Sequence, residues 1–163
     1  MLKVYQGVCK LEIRSAIIDD IKQICGLYHE FFRYNAELQP EYCKAGIENG
    51  DYPISVIENN NADIFIAIEN DVIIGFVHIR ETQTPIFDSV VSHNYAEIVD
   101  LMVTASHREK GVGSMLMDSV KLWSKERNLE YIELAVLSNA KEALCFYERK
   151  DFITTLHIMR CTL

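Results

Sequence analysis

Between residues 95 and 127 an apolar strand, a turn bearing two glycines and an amphipathic helix follow one another without a break. No other part of the chain constrains the fold as strongly. The strand is Tyr95–Val103. The turn holds Arg108-Glu109-Lys110-Gly111-Val112-Gly113-Ser114. Val112, Met115, Leu116, Val120 and Trp123 then recur at helical spacing to about Arg127. The glycines let backbone approach a ligand with no β-carbon in the way. The first turn of the helix offers unpaired N–H groups, and these with the helix dipole favour a phosphate. Arg108 and Lys110 add positive charge at the same place. Two phosphate motifs do not apply. The dinucleotide fingerprint needs a third glycine where Leu116 stands, and the P-loop sequence G-K-[ST] is absent.

The flanking sequence supplies more strands and helices. Residues 10–15 alternate apolar and polar, which predicts a half-buried strand. Ile21, Ile24, Cys25, Tyr28, Phe31 and Phe32 predict a helix, with Asp19 and Asp20 in its first turn. Residues 41–49 are expected to form a second, short helix, ended before Pro53. Residues 62–69 and 72–80 read as a hairpin turning at Asn70-Asp71, and 81–94 as a surface loop. Tyr131–Val136 is expected to be a central strand. Asn139 to Arg149 is expected to be a helix, with Asn139 and Glu142 spaced as a capping box. Phe152–Met159 is expected to be a closing strand. The order β-α-α-β-β-β-α-β-α-β makes a mixed α/β domain spanning residues 1–163. No linker is long enough to divide it.

Composition narrows the function classes. The chain has 163 residues, 16 basic and 24 acidic, for a net charge of −8. That balance argues against a nucleic-acid partner. Residues 1–94 hold seven basic and 14 acidic residues, a net −7, whereas residues 95–163 are close to neutral. The first half is thus suited to a cationic partner. No apolar run approaches a membrane span, and the first residues show no apolar signal core. The five cysteines are widely spaced without C-x-x-C, and the five histidines lack ligand spacing. Reduced thiols, a cytoplasmic location and no metal are therefore expected.

The turn and a second segment together resemble the GNAT N-acetyltransferases. Leu101-Met102-Val103-Thr104-Ala105-Ser106-His107-Arg108 is similar to that family's L-x-V-x-P-x-x-R, with Ala105 at the proline position. Arg108 to Gly113 matches [RQ]-x-x-G-x-[GA], with Glu109 where a glycine is frequent. Ala143-Leu144-Cys145-Phe146-Tyr147 through Asp151-Phe152 resembles A-x-x-F-Y-x-x-x-G-F, Asp151 replacing the glycine. The resemblance implies a GNAT fold: a central mixed sheet with splayed fourth and fifth strands and helices on both faces. It implies acetyl-CoA as cosubstrate, held by the Leu101, Met102 and Val103 backbone, by Arg108, Glu109, Lys110, Gly111, Val112, Gly113 and Ser114, and by Asn139. The backbone N–H groups of Leu101–Val103 would stabilise the oxyanion. The acceptor amine would attack directly.

An amine is mostly protonated at neutral pH and needs a base. Glu97 is the first candidate: it lies on the strand four residues before Leu101, where the resemblance places the catalytic glutamate of some histone-type members of the family, and nominal strand alternation puts it on one side with Val99, Leu101 and Val103. Asp100, Glu133 and a water chain are rivals. Tyr147 resembles the family's tyrosine that protonates the thiolate, and a neutral phenol can donate to sulfur. Cys145 reads as a packed thiol. The first helices and their connection would form one wall of the acceptor site, so residues 33–53 help set specificity. The expected activity is N-acetylation of a primary amine, with a small cationic acceptor or, alternatively, a peptide or protein N-terminus. A non-catalytic acyl-CoA-binding regulator and a plain interaction module are the other classes. The expected partners are a small-molecule amine and a second copy in a homodimer, not nucleic acid or membrane.

Overall fold

The structure is a computed structural model and describes residues 11–162. The first-strand expectation therefore holds over Leu11–Ser15, and Lys10 and the N-terminal signal question lie outside the described residues. The elements run β1 (Leu11–Ser15), α1 (Ile21–Leu38), α2 (Asp51–Ile57), β2 (Ala62–Glu69), β3 (Val72–Gln83), β4 (Asn94–Val103), α3 (Val112–Glu126), β5 (Ile132–Leu134) and α4 (Lys141–Glu148). One sheet has the order β1-β2-β3-β4-β5. Its pairs are antiparallel except β4–β5, which is parallel because α3 crosses between them.

Each face of the sheet has its own apolar cluster. On one face, Ile79, Ala96 and Ile98 pack with Val112, Leu116, Met117, Val120 and Trp123 of α3. On the other, Ile64, Ile66, Phe76 and Met102 pack with Ile24, Leu27 and Tyr28 of α1 and Val56 of α2. The α1 stripe read from the sequence is the inner face of that second cluster. The hairpin turns at Asn70 and Asp71, whose φ values of 51° and 64° put both in the left-handed region that a tight two-residue turn requires.

Several expectations change. Residues 41–49 form no helix. The second helix is Asp51–Ile57, and Pro53 lies inside its first turn rather than ending it. A proline is tolerated there because the first-turn N–H groups have no helical partner. Strand β3 runs on to Gln83, so the loop begins later than residue 81. Strand β5 has three residues and lies at the sheet edge, not its centre. The capping box at Asn139 does not form. Ala140 is the N-cap of α4, and the Asn139 amide donates to the Leu38 carbonyl instead. Residues 152–159 form no strand. Asp19 and Asp20 lie in a short 3₁₀ turn ahead of α1, where Asp20 accepts two bonds from the Arg14 guanidinium at 2.7 and 2.9 Å.

Candidate active site

Strand β4 organises the site through two departures from regular pairing. The first is a bulge. His78 pairs with Asp100 and Ile79 with Ile98, so Val99 has no partner on β3. One extra residue reverses the side-chain alternation. Ala96 and Ile98 therefore share the α3 face with Leu101 and Val103, while Met102 faces α1. Glu97 consequently does not share a face with Leu101 and Val103, which corrects the simple alternation.

The second departure is the opening beside β5. The parallel pairing ends at Ile98 opposite Leu134, so the outer edge of β4 beyond that point has no neighbouring strand. The Thr104 N–H donates to the Ile74 carbonyl on β3 at 2.9 Å. Backbone groups alternate along a strand, so Leu101 and Val103 direct theirs outward, into the opening. The Val103 carbonyl is taken there by Arg108 Nε, at 3.2 Å.

The turn after β4 continues that edge. Glu109 and Gly111 have φ of 61° and 86° and fold the chain back onto α3. Gly111 is the N-cap, no side chain caps the helix, and the Gly111 carbonyl accepts from the Met115 N–H. The N–H groups of Val112, Gly113 and Ser114 are thus the first-turn donors at the helix dipole's positive end. A β-carbon at Gly113 would lie 3.4 Å from the Phe146 ring of α4. Its absence keeps the helix start close to α4. Arg108 lies over the Tyr34 ring of α1, 5.0 Å from its centroid, and 3.9 Å from Glu142. His107 braces the turn through Glu69, at 3.2 Å, and the Thr104 and Ser106 hydroxyls, both at 2.9 Å. The arrangement offers donors, an open strand edge and cationic side chains (Arg108 and the exposed Lys110) in one run, which suits a long ligand with an anionic centre.

Tyr147 packs edge-on against Phe146 and Phe152, with centroids 5.2 and 5.6 Å away. Burial, then the charge of Asp100, push its phenol up to about 12, so it holds its proton at neutral pH. Glu97 is engaged: its Oε2 accepts from Arg80 Nε at 2.7 Å and lies 2.6 Å from Nη2 of the same guanidinium. Glu133 stands beside Glu97 on β5 and is exposed. Asp100 accepts from the Tyr28 hydroxyl at 3.2 Å. Its neighbour across the strand, His78, lies 3.0 Å from the Tyr52 hydroxyl. Sequence reasoning missed His78, Tyr52 and the polar role of Tyr28. The one available signal was a histidine inside the apolar run of β3. Asn139 faces α1 through Leu38 rather than the helix start. Among the described residues, Cys25, Cys43, Cys145 and Cys161 are free thiols, no cluster of ligating side chains could hold a metal, and no helix is long and apolar enough to cross a membrane.

The open edge, the glycine turn and the order of elements define the class. The acetyltransferase (GNAT) family model matches residues 21–152. The chain belongs to that family and is an acyltransferase of its kind. Among solved structures it is similar to a tetramutant of the BH1408 protein from Bacillus halodurans, with 19% identity over 93% of this chain and 99% of that one, TM-score 0.88. It is similar to aminoglycoside N-acetyltransferase AAC(6')-Iy in complex with CoA, with 15% identity, coverage of 98% and 99%, and TM-score 0.74. It is also similar to the aminoglycoside acetyltransferase meta-AAC0020 from an uncultured soil metagenomic sample, in complex with sisomicin, with 18% identity, coverage of 94% and 96%, and TM-score 0.70. At these identities the likeness is one of fold. No curated protein matches the chain in sequence.

Proposed function

We propose that the protein transfers an acetyl group from acetyl-CoA to a primary amine of a small cationic acceptor. The observation that carries this reading is the outer edge of β4, unpaired beyond Ile98 and continuous with the glycine turn and the start of α3. In this reading the pantetheine arm lies along Leu101, Met102 and Val103. The pyrophosphate sits on Arg108 through Ser114. An outward N–H of Leu101 or Val103 stabilises the oxyanion formed when the amine attacks the thioester carbonyl. The C–N bond forms, the C–S bond breaks, and Tyr147 gives its proton to the thiolate. A β4 carboxylate takes the amine proton. Glu97 and Asp100 both face the α1–α2 side, but Arg80 already binds Glu97, whereas Asp100 receives only a neutral phenol donor among the bonds described above.

A cationic acceptor is supported by the acidic first half and by the aminoglycoside acetyltransferases among the fold's relatives. The test is thiol release from acetyl-CoA across polyamines, aminoglycosides and peptides, followed by Glu97→Gln and Asp100→Asn on the best acceptor. Turnover of a small amine with loss of roughly 10²-fold or more in one carboxylate variant is expected. Acetylation of peptide N-termini alone would replace the acceptor class. Acetyl-CoA binding without turnover would leave a regulator.

A further inference from the structure

The α1–α2 face of the sheet buries a carboxylate that no lysine or arginine of the described residues neutralises. The bulge at Val99 turns Asp100 of β4 to that face together with Met102. Its side chain is only 17% exposed. Among the described residues no lysine or arginine lies within ion-pair distance of it, whereas Arg14 holds Asp20 and Arg80 holds Glu97. His78 approaches no nearer than 3.9 Å, beyond hydrogen-bond distance, and its Nδ1 is engaged by the Tyr52 hydroxyl. Taking a carboxylate out of water is costly, and a cationic partner offsets that cost.

One contact holds this carboxylate. The Tyr28 hydroxyl of α1 donates to Asp100 Oδ2 at 3.2 Å, and Oδ1 accepts from no described residue. Tyr28 is 1% exposed and sunk among Ile24, Leu27, Phe76 and Met102. Its ring centroid lies 4.6 Å from that of Phe76 and 5.6 Å from that of Phe32. A phenylalanine would keep all of those contacts. Burying a hydroxyl in such surroundings costs free energy unless it is bonded, and the bond it makes is to Asp100. Burial, with the charge of Asp100 next, holds the phenol far above its ordinary value, so it remains a donor.

Asp100 also lies toward the acyl-transfer edge. The next residue, Leu101, directs its backbone groups into the opening beside β5, and Asp100 is the charge that, after burial, raises the Tyr147 phenol of α4. The rival carboxylates are engaged or exposed: Arg80 holds Glu97, Glu48 accepts from the Gly50 N–H at 3.0 Å, and Glu133 is exposed on β5. We propose that Asp100 is the seat of the acceptor's ammonium group and that Tyr28 is the positioning residue that aims it. This rests on the acetyl-transfer reading above. The ammonium donates to Oδ1 while Tyr28 keeps Oδ2, so the amine nitrogen is held beside Leu101, on the strand whose outer edge takes the thioester. The ligand class that fits is a primary alkylammonium, which brings both the cation and the N–H donors that Oδ1 can accept. Tyr28 touches no substrate; it acts through Asp100. Tyr52, 41% exposed, marks the solvent end of this face.

The test is a double-mutant cycle on kcat/KM for the amine: wild type, Tyr28→Phe, Asp100→Asn and the double variant. The acceptor is whichever of spermidine, sisomicin and an alanine-led peptide the wild type acetylates best. Acetyl-CoA affinity by calorimetry and the melting temperature are measured on the same four proteins. Asparagine can still accept from the Tyr28 hydroxyl but carries no charge for an ammonium. Asp100→Asn is expected to lose roughly 10²-fold in kcat/KM, and Tyr28→Phe roughly 10-fold. The double variant should lose no more than Asp100→Asn alone, with acetyl-CoA affinity unchanged in all four. A hydroxyl with a purely structural role would cost the same in both backgrounds. No loss in Tyr28→Phe, or equal losses in both backgrounds, overturns the positioning role. Wild-type kcat/KM in Asp100→Asn overturns the seat and leaves acetyl transfer standing. If Tyr28→Phe does not fold, Asp100→Glu takes its place: it keeps the charge but moves it off the Tyr28 hydroxyl, and wild-type kcat/KM there overturns the positioning role equally. A wild type that binds acetyl-CoA and acetylates none of the three amines overturns the acetyl-transfer reading and this proposal together.

Discussion

At the scale of single residues the site rests on side chains whose surroundings fix their protonation or their size. Tyr147 is one. Burial keeps its phenol neutral well beyond neutral pH, which is the state an acid needs. Tyr147→Phe keeps the ring contacts with Phe146 and Phe152 and removes only the donor. Its melting temperature and acetyl-CoA affinity are expected to match the wild type, with kcat about 10-fold lower, below the usual range for acid catalysis because a thiolate is a fair leaving group. Full kcat where chemistry limits the rate would return Tyr147 to packing. Gly113 is another. With a β-carbon already at 3.4 Å from Phe146, Gly113→Val pushes a branched side chain into that ring and into the space before the first-turn N–H groups. Calorimetry should show weakened CoA binding together with a lower melting temperature, and Gly113→Ala should show a smaller version of both. The glycine turn was legible in the sequence because spacing and flanking elements carry it. Asp100, His78 and Tyr52 were not legible as a group. Their association depends on strand register, on a bulge at Val99 and on where α2 begins, none of which a period-2 pattern reveals.

At the scale of elements, the start of α1 is held by a pair far apart in chemistry and near in sequence. The Arg14 guanidinium of β1 holds the Asp20 carboxyl below the usual carboxylate range, burial opposing and the Ile17 N–H adding to the effect. A group whose folded pKa is depressed stabilises the fold above its unfolded value, near 3.9, and that stability is lost as pH falls through the folded value. Asp20→Asn should therefore lower Tm at pH 7 by a few degrees, corresponding to about 1 kcal/mol for one charge-assisted contact. Thermal melts of both proteins should converge as pH falls through the depressed folded value; an equal gap at pH 7 and at the acid limit would rule out the ion pair as its cause. The elements themselves were mostly legible. Long periodic stretches such as α1, α3, β2 and β3 emerged with their types intact, because burial of one face dictates both pattern and structure. The second helix was displaced to Asp51–Ile57 because Pro53 suits a first turn, a position that composition alone makes look like a break. Residues 131–136 and 152–159 have strand composition, yet only Ile132–Leu134 pairs. Strand propensity expresses fit to a neighbour, and β4 moves away from the chain after Ile98.

At the scale of the whole molecule, the proposed reading has charge and architecture divide its two ligands between the two halves of the chain. The run from Val103 to Ser114 brings Arg108 and Lys110 to a helix N-terminus, the polarity an anionic cosubstrate needs. On the opposite face, residues 21–58 span α1, its connection and α2, and hold six acidic residues against three basic ones. Asp100 and Glu97 of β4 face the same side. The negative field there should concentrate a polycation and speed its encounter, and it should repel acids. Screening weakens this steering once the Debye length shrinks to about 10 Å at 0.1 M salt. Raising salt from about 0.01 M to about 0.3 M should therefore raise KM for a polyamine or aminoglycoside several-fold. Because that effect belongs to encounter, kcat at saturating acceptor should change little. In the proposed reading acetyl-CoA, being anionic, should also respond to salt through Arg108 and Lys110, so the diagnostic variant must touch only the acceptor side. Charge reversal at the exposed Glu37 and Glu41 (Glu37→Lys with Glu41→Lys) leaves the glycine turn intact. It should raise the acceptor KM at low salt towards the high-salt value and flatten its salt dependence, with acetyl-CoA affinity unchanged by calorimetry. An acceptor KM indifferent to salt in the wild type, or a preference for neutral amines over polycations of similar size, would remove the cationic acceptor and leave the acidic surface as a solubility feature alone.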